Sequence, residues 1–470
     1  SYVFNFEGAF RYMLMKEYYP AEYEQMKRFV QAGRWHVAGP ALDALDVNIP
    51  SPESVIRSIL HAQHFYRAEF GLTARDLFLP DCFGFGYTLP TIAAHTGLKG
   101  FSTQKLGWGS SIGIPFLLGA WQGIDGSVLP SVLHGGPYNL QVREDLSKRP
   151  TWIQGLREQQ EKTGFGIGLR YFGTGDEGGA PDASSMAWVD NSAKSDGPLR
   201  VRFASSSALF DALTPAHLAK LPRYRGEILL TRHGVGGYTS YGPIKQWSRQ
   251  NEHLSAAAER AAAAAMALAG ADYPSSVLRD AWIRFGWHHQ HDGITGTSIP
   301  AANDIMMNDQ IVSQIQFSDV LTEAVTRWAA HLDTRGPGRP VVVYNAADQR
   351  RTDLVEMAWP LADTVTAVTV QGPEGTTPWQ RVEHPGEPPR LLFRATVPAV
   401  GLAVYHVAPA TETPATPIAS TVTAVTGKLE SASVRVEFNV DGQLSSVTDR
   451  RTGRSWLRGP IAWQFLPDNP

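Results

Sequence analysis

The chain has 470 residues, of which 43% are hydrophobic and 19% charged, and a formal net charge of −3 at pH 7; it exceeds one small domain and can bury sizeable cores. The near-neutral charge, with a pI near 6.5, excludes the strongly basic surface that is typical of nucleic-acid binding, and no run of about 18 apolar residues predicts a membrane span. The single cysteine, Cys82, excludes an internal disulfide framework and is more often a small packed hydrophobe than a nucleophile.

Residues 1–250 alternate between amphipathic helices and short apolar strands, a pattern typical of α/β layers. Helices are predicted over residues 20–31, 55–70 and 89–95, the second after a Ser51 cap and Pro52. Strands are predicted over residues 77–79 and 101–105, and a hairpin with a tight turn at Asp125 and Gly126 over residues 121–129. This alternation predicts an α/β domain whose parallel sheet has flanking helices and is barrel-like.

The next two segments differ from residues 1–250 in their sequence patterns. Residues 251–335 are helical, and helices over residues 256–270, 275–290 and 303–332 with short joints favour an antiparallel three-helix bundle. Residues 336–470 alternate between apolar and polar side chains as β-strands do, and strands are predicted at 341–345, 364–370 and 434–440. A linker rich in Pro and Thr is predicted at 409–417. We therefore predict three domains, of which the last is an incomplete domain of the β-sandwich type.

Two segments carry residues suited to chemistry. Asp81 follows the predicted strand 77–79 and precedes a Gly-rich turn, the position from which catalytic groups project in α/β sheets. An acid at that position is also a common turn or cap residue. In the second segment, His288, His289 and His291 lie within four positions, with Asp292 adjacent, a density that is hard to explain as ordinary core.

Further motifs accompany these two segments in a fixed order: Gly33-Arg34-Trp35, residues 46–54, residues 175–181, and Tyr238-Thr239-Ser240 followed by Lys245 and Arg249. With these motifs in this order, most of the chain resembles glycoside hydrolase family 38, the zinc-dependent retaining α-mannosidases. The resemblance implies that Asp81 is both the nucleophile and a zinc ligand, and that His291 is another ligand of the same zinc ion.

The resemblance also implies a reaction, the release of terminal α-linked mannose from oligosaccharides or glycans with retention. A retaining glycosidase holds its two carboxyl groups about 5–5.5 Å apart, one as nucleophile and one as acid/base. A zinc ion would keep Asp81 ionised and bind two vicinal sugar hydroxyls. The axial 2-hydroxyl of mannose forms a cis pair with the 3-hydroxyl, which suits such chelation.

The acid/base candidate is Asp176, with Glu177 as its rival in the same Gly-rich loop. A general acid must be protonated near neutral pH, so its pKa has to be raised by burial or by a neighbouring negative charge. Asp176 and Glu177 would raise each other's pKa if they faced one cavity. The alternative explanation is an ordinary solvated turn.

Seven residues are candidates for substrate binding: Asp46, Asn48, Lys105, Trp108, His233, Tyr238 and Asp292. Capping or turn roles remain open for Asp46 and Asn48, and a core position for Trp108. Asp292 faces either the His291 ring or the metal. We expect His289 to be a polar group at a helix surface, whereas a role for His288 stays open.

The family begins with a strand ending in H-x-D, whose two residues bind zinc, and Ser1 lies in a region that resembles the one just after that strand. Only two ligands are identified here, whereas a zinc site usually has three or four from the protein. We therefore expect an internal fragment.

Three alternatives stay open: an inactive fragment, a carbohydrate-binding module without turnover, and a zinc hydrolase that uses metal-bound water. The expected partner is a mannose-containing oligosaccharide; a homo-oligomer and either an exported or a cytoplasmic location are compatible with the sequence.

Overall fold

The computed structural model describes residues 2–410 and 422–463, with the side chain of Glu177 outside that description. The chain divides into two compact units. The first consists of Ser1–Asp333, Tyr344–Gln349 and Ala399–Gly401, and the second of Thr334–Val343, Arg350–Pro398 and Leu402–Pro470. Among the described helices, none combines the length and the apolar character that crossing a membrane requires.

The strands of the first unit are short, and α-helices lie in half of the connections between consecutive strands. The strands are β1 (Phe4–Phe6), β2 (Trp35–Val37), β3 (Asp76–Phe78), β4 (Gly84–Phe85), β5 (Gly100–Ser102), β6 (Leu118–Gln122), β7 (Val128–Val132), β8 (Arg223–Arg225) and β9 (Ile228–Leu229). The helices are α1 (Ala9–Tyr18), α2 (Pro20–Gln31), α3 (Pro52–Phe70), α4 (Leu89–His95), α5 (Pro150–Thr163), α6 (Ala183–Lys194), α7 (Ala208–Asp211), α8 (Pro215–Lys220), α9 (Gly242–Ala269), α10 (Ser275–Gly286) and α11 (Pro300–Ala329).

The central sheet has five strands in the order β3-β5-β7-β6-β8. Strands β3, β5 and β7 are parallel neighbours, whereas β6 runs antiparallel to β7 because the predicted hairpin joins them. The Asp125 carboxylate accepts a hydrogen bond from the Ser127 amide at 3.0 Å and so closes the hairpin turn. The predicted α/β architecture is confirmed, but the sheet is mixed rather than wholly parallel. Strands β1 and β2 pair in parallel outside this sheet, and closure into a barrel stays a prediction.

Apolar residues of the strands form the core that holds this sheet. Leu77, Phe101 and Trp121 are fully buried in one cluster, which explains why such short strands form. Helix α3 begins as expected, because the Ser51 hydroxyl accepts a hydrogen bond from the Ser54 amide at 3.2 Å. The strand predicted over residues 101–105 is shorter than expected: it ends at Ser102, and Lys105–Trp108 forms a 3₁₀ helix.

The helical segment of the first unit contains α9, α10 and α11. Helix α9 begins at Gly242, before the boundary predicted near residue 250. Its buried alanines, including Ala258 and Ala261, allow close approach of the aromatic residues Trp282 and Phe317 from the other two helices. The 3₁₀ helix Trp287–His289 directly follows α10. The division into two units does not test the prediction of three domains.

The second unit is rich in β-structure, as predicted. Its strands are β10 (Arg339–Asn345), β11 (Arg351–Ala358), β12 (Val368–Gly372), β13 (Gly375–Thr377), β14 (Trp379–Val382), β15 (Arg390–Val397), β16 (Gly401–Pro409), β17 (Thr423–Val425), β18 (Lys428–Glu430), β19 (Val434–Phe438) and β20 (Leu444–Asp449). They form the sheets β10-β16-β12-β13, β11-β15-β14 and β17-β18-β19-β20. Most of the linker predicted at residues 409–417 lies outside the described residues.

Candidate active site

Three polar side chains follow the carboxyl ends of three neighbouring parallel strands. Asp81 comes after β3, Lys105 after β5, and Tyr138 after β7. Since parallel strands end at one edge of a sheet, the loops after them converge there, and ligands bind at that edge in α/β folds. The position of Asp81 agrees with its predicted projection from the sheet.

His291 meets Asp81 at this edge. The Nε2 atom of His291 lies 3.4 Å from Oδ2 of Asp81, and the two side chains are 10% and 21% exposed. The Lys105 ammonium group contacts the other carboxylate oxygen, Oδ1. Burial by itself would raise the pKa of Asp81, but hydrogen bonds from His291 and Lys105 outweigh it and hold that pKa below its ordinary value. Asp81 is therefore an ionised, partly exposed carboxylate.

A backbone carbonyl group fixes the orientation of the His291 ring. Its Nδ1 atom lies 3.1 Å from the Ala44 carbonyl oxygen, so Nδ1 carries a hydrogen and Nε2 faces Asp81. Burial opposes protonation of this ring, but the Cys82 thiol and Asp81 raise the pKa of His291 well above its ordinary value. The imidazole is thus held in one position against the carboxylate.

The donor pair suits zinc in part. A carboxylate oxygen and an imidazole Nε2 are zinc ligands, and the bond from His291 Nδ1 to Ala44 is the kind of support that metal-binding histidines have. Within the described residues, however, no group of three or more His, Cys, Asp or Glu side chains is placed to hold a metal ion. Asp81 and His291 therefore fit zinc as two of its ligands. The described residues do not supply a complete set of zinc ligands.

Asp176 lies on the short 3₁₀ helix Gly175–Glu177 and is exposed. The Tyr138 hydroxyl donates a hydrogen bond to its Oδ1 atom at 2.9 Å. Burial raises the pKa of Tyr138, and the negative charges of Asp81 and Asp176 raise it further. Tyr138 thus lies beside both predicted catalytic carboxyls. The side chain of the rival candidate Glu177 lies outside the described residues.

An aromatic wall borders the carboxylate. The Lys105 ammonium nitrogen lies 4.5 Å from the centroid of the Trp108 ring, and the His233 ring centroid lies 4.6 Å from that of Trp108. Phe83 packs edge-on against both His233 and His291. Trp108 is 50% exposed and so is not part of the core. An exposed indole beside a carboxylate offers an apolar face to a sugar ring.

Asp46, Asn48 and Tyr238 form a polar network beneath this wall. Asp46 is fully buried, and its Oδ1 accepts hydrogen bonds from the amides of Asn48 and Ile49 at 2.9 and 2.8 Å. Its Oδ2 accepts a hydrogen bond from the Tyr238 hydroxyl at 3.2 Å, and the Asn48 amide nitrogen donates to that hydroxyl at 2.7 Å. Asp46 acts as a turn residue here, one of the roles left open by the sequence, and sugar binding by these residues stays a prediction.

Asp292 borders His291 on the open side. Its Oδ2 atom lies 3.7 Å from His291 Nε2, and its side chain is 44% exposed. The Thr297 hydroxyl donates to Asp292 Oδ1 at 2.7 Å, which holds this carboxylate in place. Asp292 therefore faces both the ring and the solvent, where a sugar hydroxyl can reach it.

The expected surface position of His289 is wrong. His289 is fully buried, and its Nε2 atom lies 2.9 Å from the Ser248 hydroxyl on α9. His288 is also buried and pairs with Asp309 at 2.8 Å. The two rings contact helices α9 and α11 rather than the site. Cys82 is buried too, and burial raises the pKa of its thiol to about 11, so it is a packed residue and not a nucleophile.

Glu7, which sequence reasoning missed, lies behind the pair of Asp81 and His291. Its Oε2 atom is buried and has no hydrogen-bond partner among the described residues. Burial and the charge of Asp43 raise the pKa of Glu7 to about 8, against the opposing charges of His291 and Arg11. No motif points to Glu7; it directly follows the short strand β1, which the sequence analysis does not predict.

The chain matches two family models and several known proteins. Residues 2–227 match the model described as "Glycosyl hydrolases family 38 N-terminal domain", and residues 235–327 match "Alpha mannosidase middle domain". Alpha-mannosidase 2C1 of Homo sapiens is 27% identical over an alignment 488 residues long, which covers 99% of this chain and 42% of that protein. Alpha-mannosidase G of Dictyostelium discoideum is 28% identical over 69% of this chain and 29% of its own length.

A solved structure shares the fold. An alpha-mannosidase from Enterococcus faecalis V583 superposes with a TM-score of 0.68 at 18% identity, covering 94% of this chain and 55% of that one. The chain therefore spans less than half the length of these curated relatives and about half of that solved structure.

Proposed function

The chain belongs to glycosyl hydrolase family 38, and from this premise we propose that it hydrolyses terminal α-linked mannose with retention of configuration. The observation that carries the proposal is the position of the Asp81 carboxylate, which contacts His291 and Lys105 at the sheet edge. The same carboxylate lies beside the Tyr138 hydroxyl, which donates a hydrogen bond to Asp176. Two carboxyls that share one small site are what glycoside hydrolysis requires.

Asp81 is the nucleophile in this proposal. Lys105 and His291 keep it ionised, and its partial exposure leaves one side open to a sugar. In the first step a carboxylate oxygen of Asp81 forms a bond to the anomeric carbon, while the glycosidic bond breaks. The electron pair of that bond goes to the leaving oxygen, and a covalent glycosyl-enzyme results.

Asp176 is the acid/base. In the first step its carboxyl proton moves to the leaving oxygen, which departs as an alcohol. In the second step the Asp176 carboxylate takes a proton from water. The oxygen of that water bonds to the anomeric carbon, and Asp81 leaves as a carboxylate. Asp176 is exposed, so a leaving alcohol and then a water molecule can reach it, and the bound sugar has to supply the burial that a general acid needs.

Zinc is part of the proposal, with Asp81 and His291 as the residues that would hold it. When bound, the ion would supply a Lewis acid that binds vicinal sugar hydroxyls and favours the ionised carboxylate. The rest of the binding is assigned to this chain's own residues. Trp108 and His233 form a wall for one sugar face, and Asp292 accepts hydrogen bonds from sugar hydroxyls.

Turnover of an aryl α-mannoside, with metal content measured on the same sample, tests the proposal. We expect release of the aryl alcohol, strong loss of activity in Asp81→Asn and in Asp176→Asn, and no loss in Asp190→Asn, an exposed acid paired with Lys194 on α6. Binding of mannosides without turnover would favour a carbohydrate-binding module instead. Turnover that is equal in wild type and Asp81→Asn would favour metal-bound water as the nucleophile.

A further inference from the structure

Tyr138 connects the two halves of the site, and no motif assigns it a role. On the basis of the proposed function, we propose that Tyr138 is a positioning residue that orients the Asp176 carboxyl for proton transfer to the leaving group. Its hydroxyl donates to Asp176 Oδ1 at 2.9 Å. Within the part of the chain that the structure describes, this is the hydrogen bond that holds the Asp176 side chain, which is otherwise exposed.

The bond assigns separate tasks to the two oxygens of Asp176. Because a hydroxyl donor already occupies Oδ1, the transferable proton is placed on Oδ2, the oxygen left free to face the leaving group. Tyr138 itself gives up no proton.

Packing around Tyr138 fixes this geometry. Gly175, directly before Asp176, has a φ of +75°, and a Cβ placed there would lie 2.7 Å from Asn139 Cβ and 2.9 Å from Tyr138 Cε2. The Gly173 amide donates to the Leu140 carbonyl at 3.2 Å. The loop that carries Asp176 is therefore pressed against the loop that carries Tyr138, and a glycine is required where they meet.

The rigid ring compensates for the mobility of an exposed carboxyl. A free aspartate side chain samples several rotamers, and only some aim its proton at a leaving oxygen. Misplacing a catalytic group by about 1 Å can reduce a rate about 100-fold. Removing the hydroxyl should thus impair protonation of the leaving group and leave attack by Asp81 largely intact.

Leaving-group dependence tests this role in the intact protein. Tyr138→Phe and wild type are compared on methyl α-mannoside, whose leaving group needs a proton, and on 2,4-dinitrophenyl α-mannoside, whose leaving group does not. The ratio kcat/KM reports the first step for both substrates. We expect Tyr138→Phe to lower kcat/KM about tenfold or more for the methyl glycoside and less than about twofold for the dinitrophenyl glycoside.

A double-mutant cycle separates action through Asp176 from other effects. Asp176→Asn should show the same substrate pattern more strongly, and adding Tyr138→Phe to it should cause no further loss on the methyl glycoside. Tyr23→Phe is the matched control, because the Tyr23 hydroxyl also donates to a carboxylate, Glu69 Oε2 at 3.0 Å, between α2 and α3. This control should behave as wild type on both substrates.

Three results would overturn the role. Equal losses of kcat/KM on both substrates would show that Tyr138 acts through Asp81 or through the stability of the fold. Unchanged kinetics would show that Tyr138 has no role in the reaction. Independent, additive losses in the double variant would show that it does not act through Asp176. In each of these cases an active wild type leaves the proposed function standing, whereas a wild type inactive on both mannosides would overturn that function and this role together.

Discussion

The Nε2 atom of His291 lies 3.4 Å from the Oδ2 atom of Asp81, although the first follows helix α10 and the second follows strand β3. The contact brings an imidazole from the helical segment to the carboxyl edge of the sheet. The bond from His291 Nδ1 to the Ala44 carbonyl fixes which nitrogen faces the carboxylate. The site is therefore built where these two parts of the first unit meet.

Metal content should depend on this contact. In the proposed function His291 is a zinc ligand, so His291→Ala should reduce the zinc content of the protein from about one ion per chain to a small fraction. His95→Ala is the control, because His95 is an exposed histidine beside Asp125 with 71% of its side chain accessible. Elemental analysis after gel filtration measures the outcome, and a His291→Ala protein with the zinc content of wild type would contradict the assignment.

Glu7 predicts a pH dependence of stability. Its pKa is raised by burial from 4.5 to about 8. Since the folded pKa lies above the unfolded value, the contribution of this carboxyl to stability is full below about pH 4.5 and is lost as the pH rises through about 8. Glu7→Gln removes the charge and keeps the shape, so its Tm should exceed that of wild type by a margin that grows from about pH 5 to pH 8.

The Glu7 measurement is thermal unfolding in a chelating buffer, which removes any effect of bound metal. Glu24→Gln is the control, since Glu24 is an exposed partner of Lys27 on α2 with 63% of its side chain accessible. Its Tm should stay near that of wild type across the same range. A margin for Glu7→Gln that is constant with pH, or that shrinks as pH rises, would contradict the prediction.

Cys82 should be inert in the native protein. It is fully buried, its Sγ atom lies 3.4 Å from the Leu45 carbonyl oxygen, and burial raises its pKa to about 11. Alkylation requires the thiolate and access to it. Iodoacetamide at about pH 8 should therefore label Cys82 slowly in native protein and rapidly in urea. Equal labelling rates under the two conditions would show that the thiol is accessible.

The helical segment should depend strongly on one aromatic side chain. Phe317 is fully buried on α11, and its ring centroid lies 5.9 and 6.1 Å from those of Trp282 and Phe285. Phe317→Ala should lower the free energy of unfolding by about 3–5 kcal/mol. Ile315→Ala on the same helix, where the side chain is 54% exposed, should change it by less than about 0.5 kcal/mol. Urea unfolding measures both, and similar values for the two variants would contradict the assignment of Phe317 to the core.

The sequence predicts the parts of this site that carry motifs. Asp81, His291 and Asp292 are candidates because they lie in distinctive segments, and Trp108 is a candidate because it follows the end of a predicted strand. Tyr138 was missed because its role depends on a contact with Asp176 between two irregular loops, which no periodicity encodes. The burial of His289 was missed for a similar reason, since its ring contacts Ser248, which is distant in the sequence.

The sequence likewise predicts some parts of the fold and not others. The α/β alternation and the helical segment were readable from apolar periodicity and caps such as Ser51. The direction of β6 follows from the hairpin turn at Asp125, yet an all-parallel sheet is the simpler expectation from alternating strands and helices. The strand ends near Lys105 were also placed too far along the chain, because apolar character fades gradually whereas backbone pairing stops at Ser102.

Trapping the intermediate tests the central claim, that Asp81 attacks the anomeric carbon. A fluorinated mannoside with an activated leaving group slows the second step, so the first product accumulates on the enzyme. We expect a protein heavier by one fluoromannosyl group, with the added mass on the peptide that contains Asp81 and no added mass in Asp81→Asn. Turnover of mannosides without any adduct, or an adduct on another residue, would contradict it.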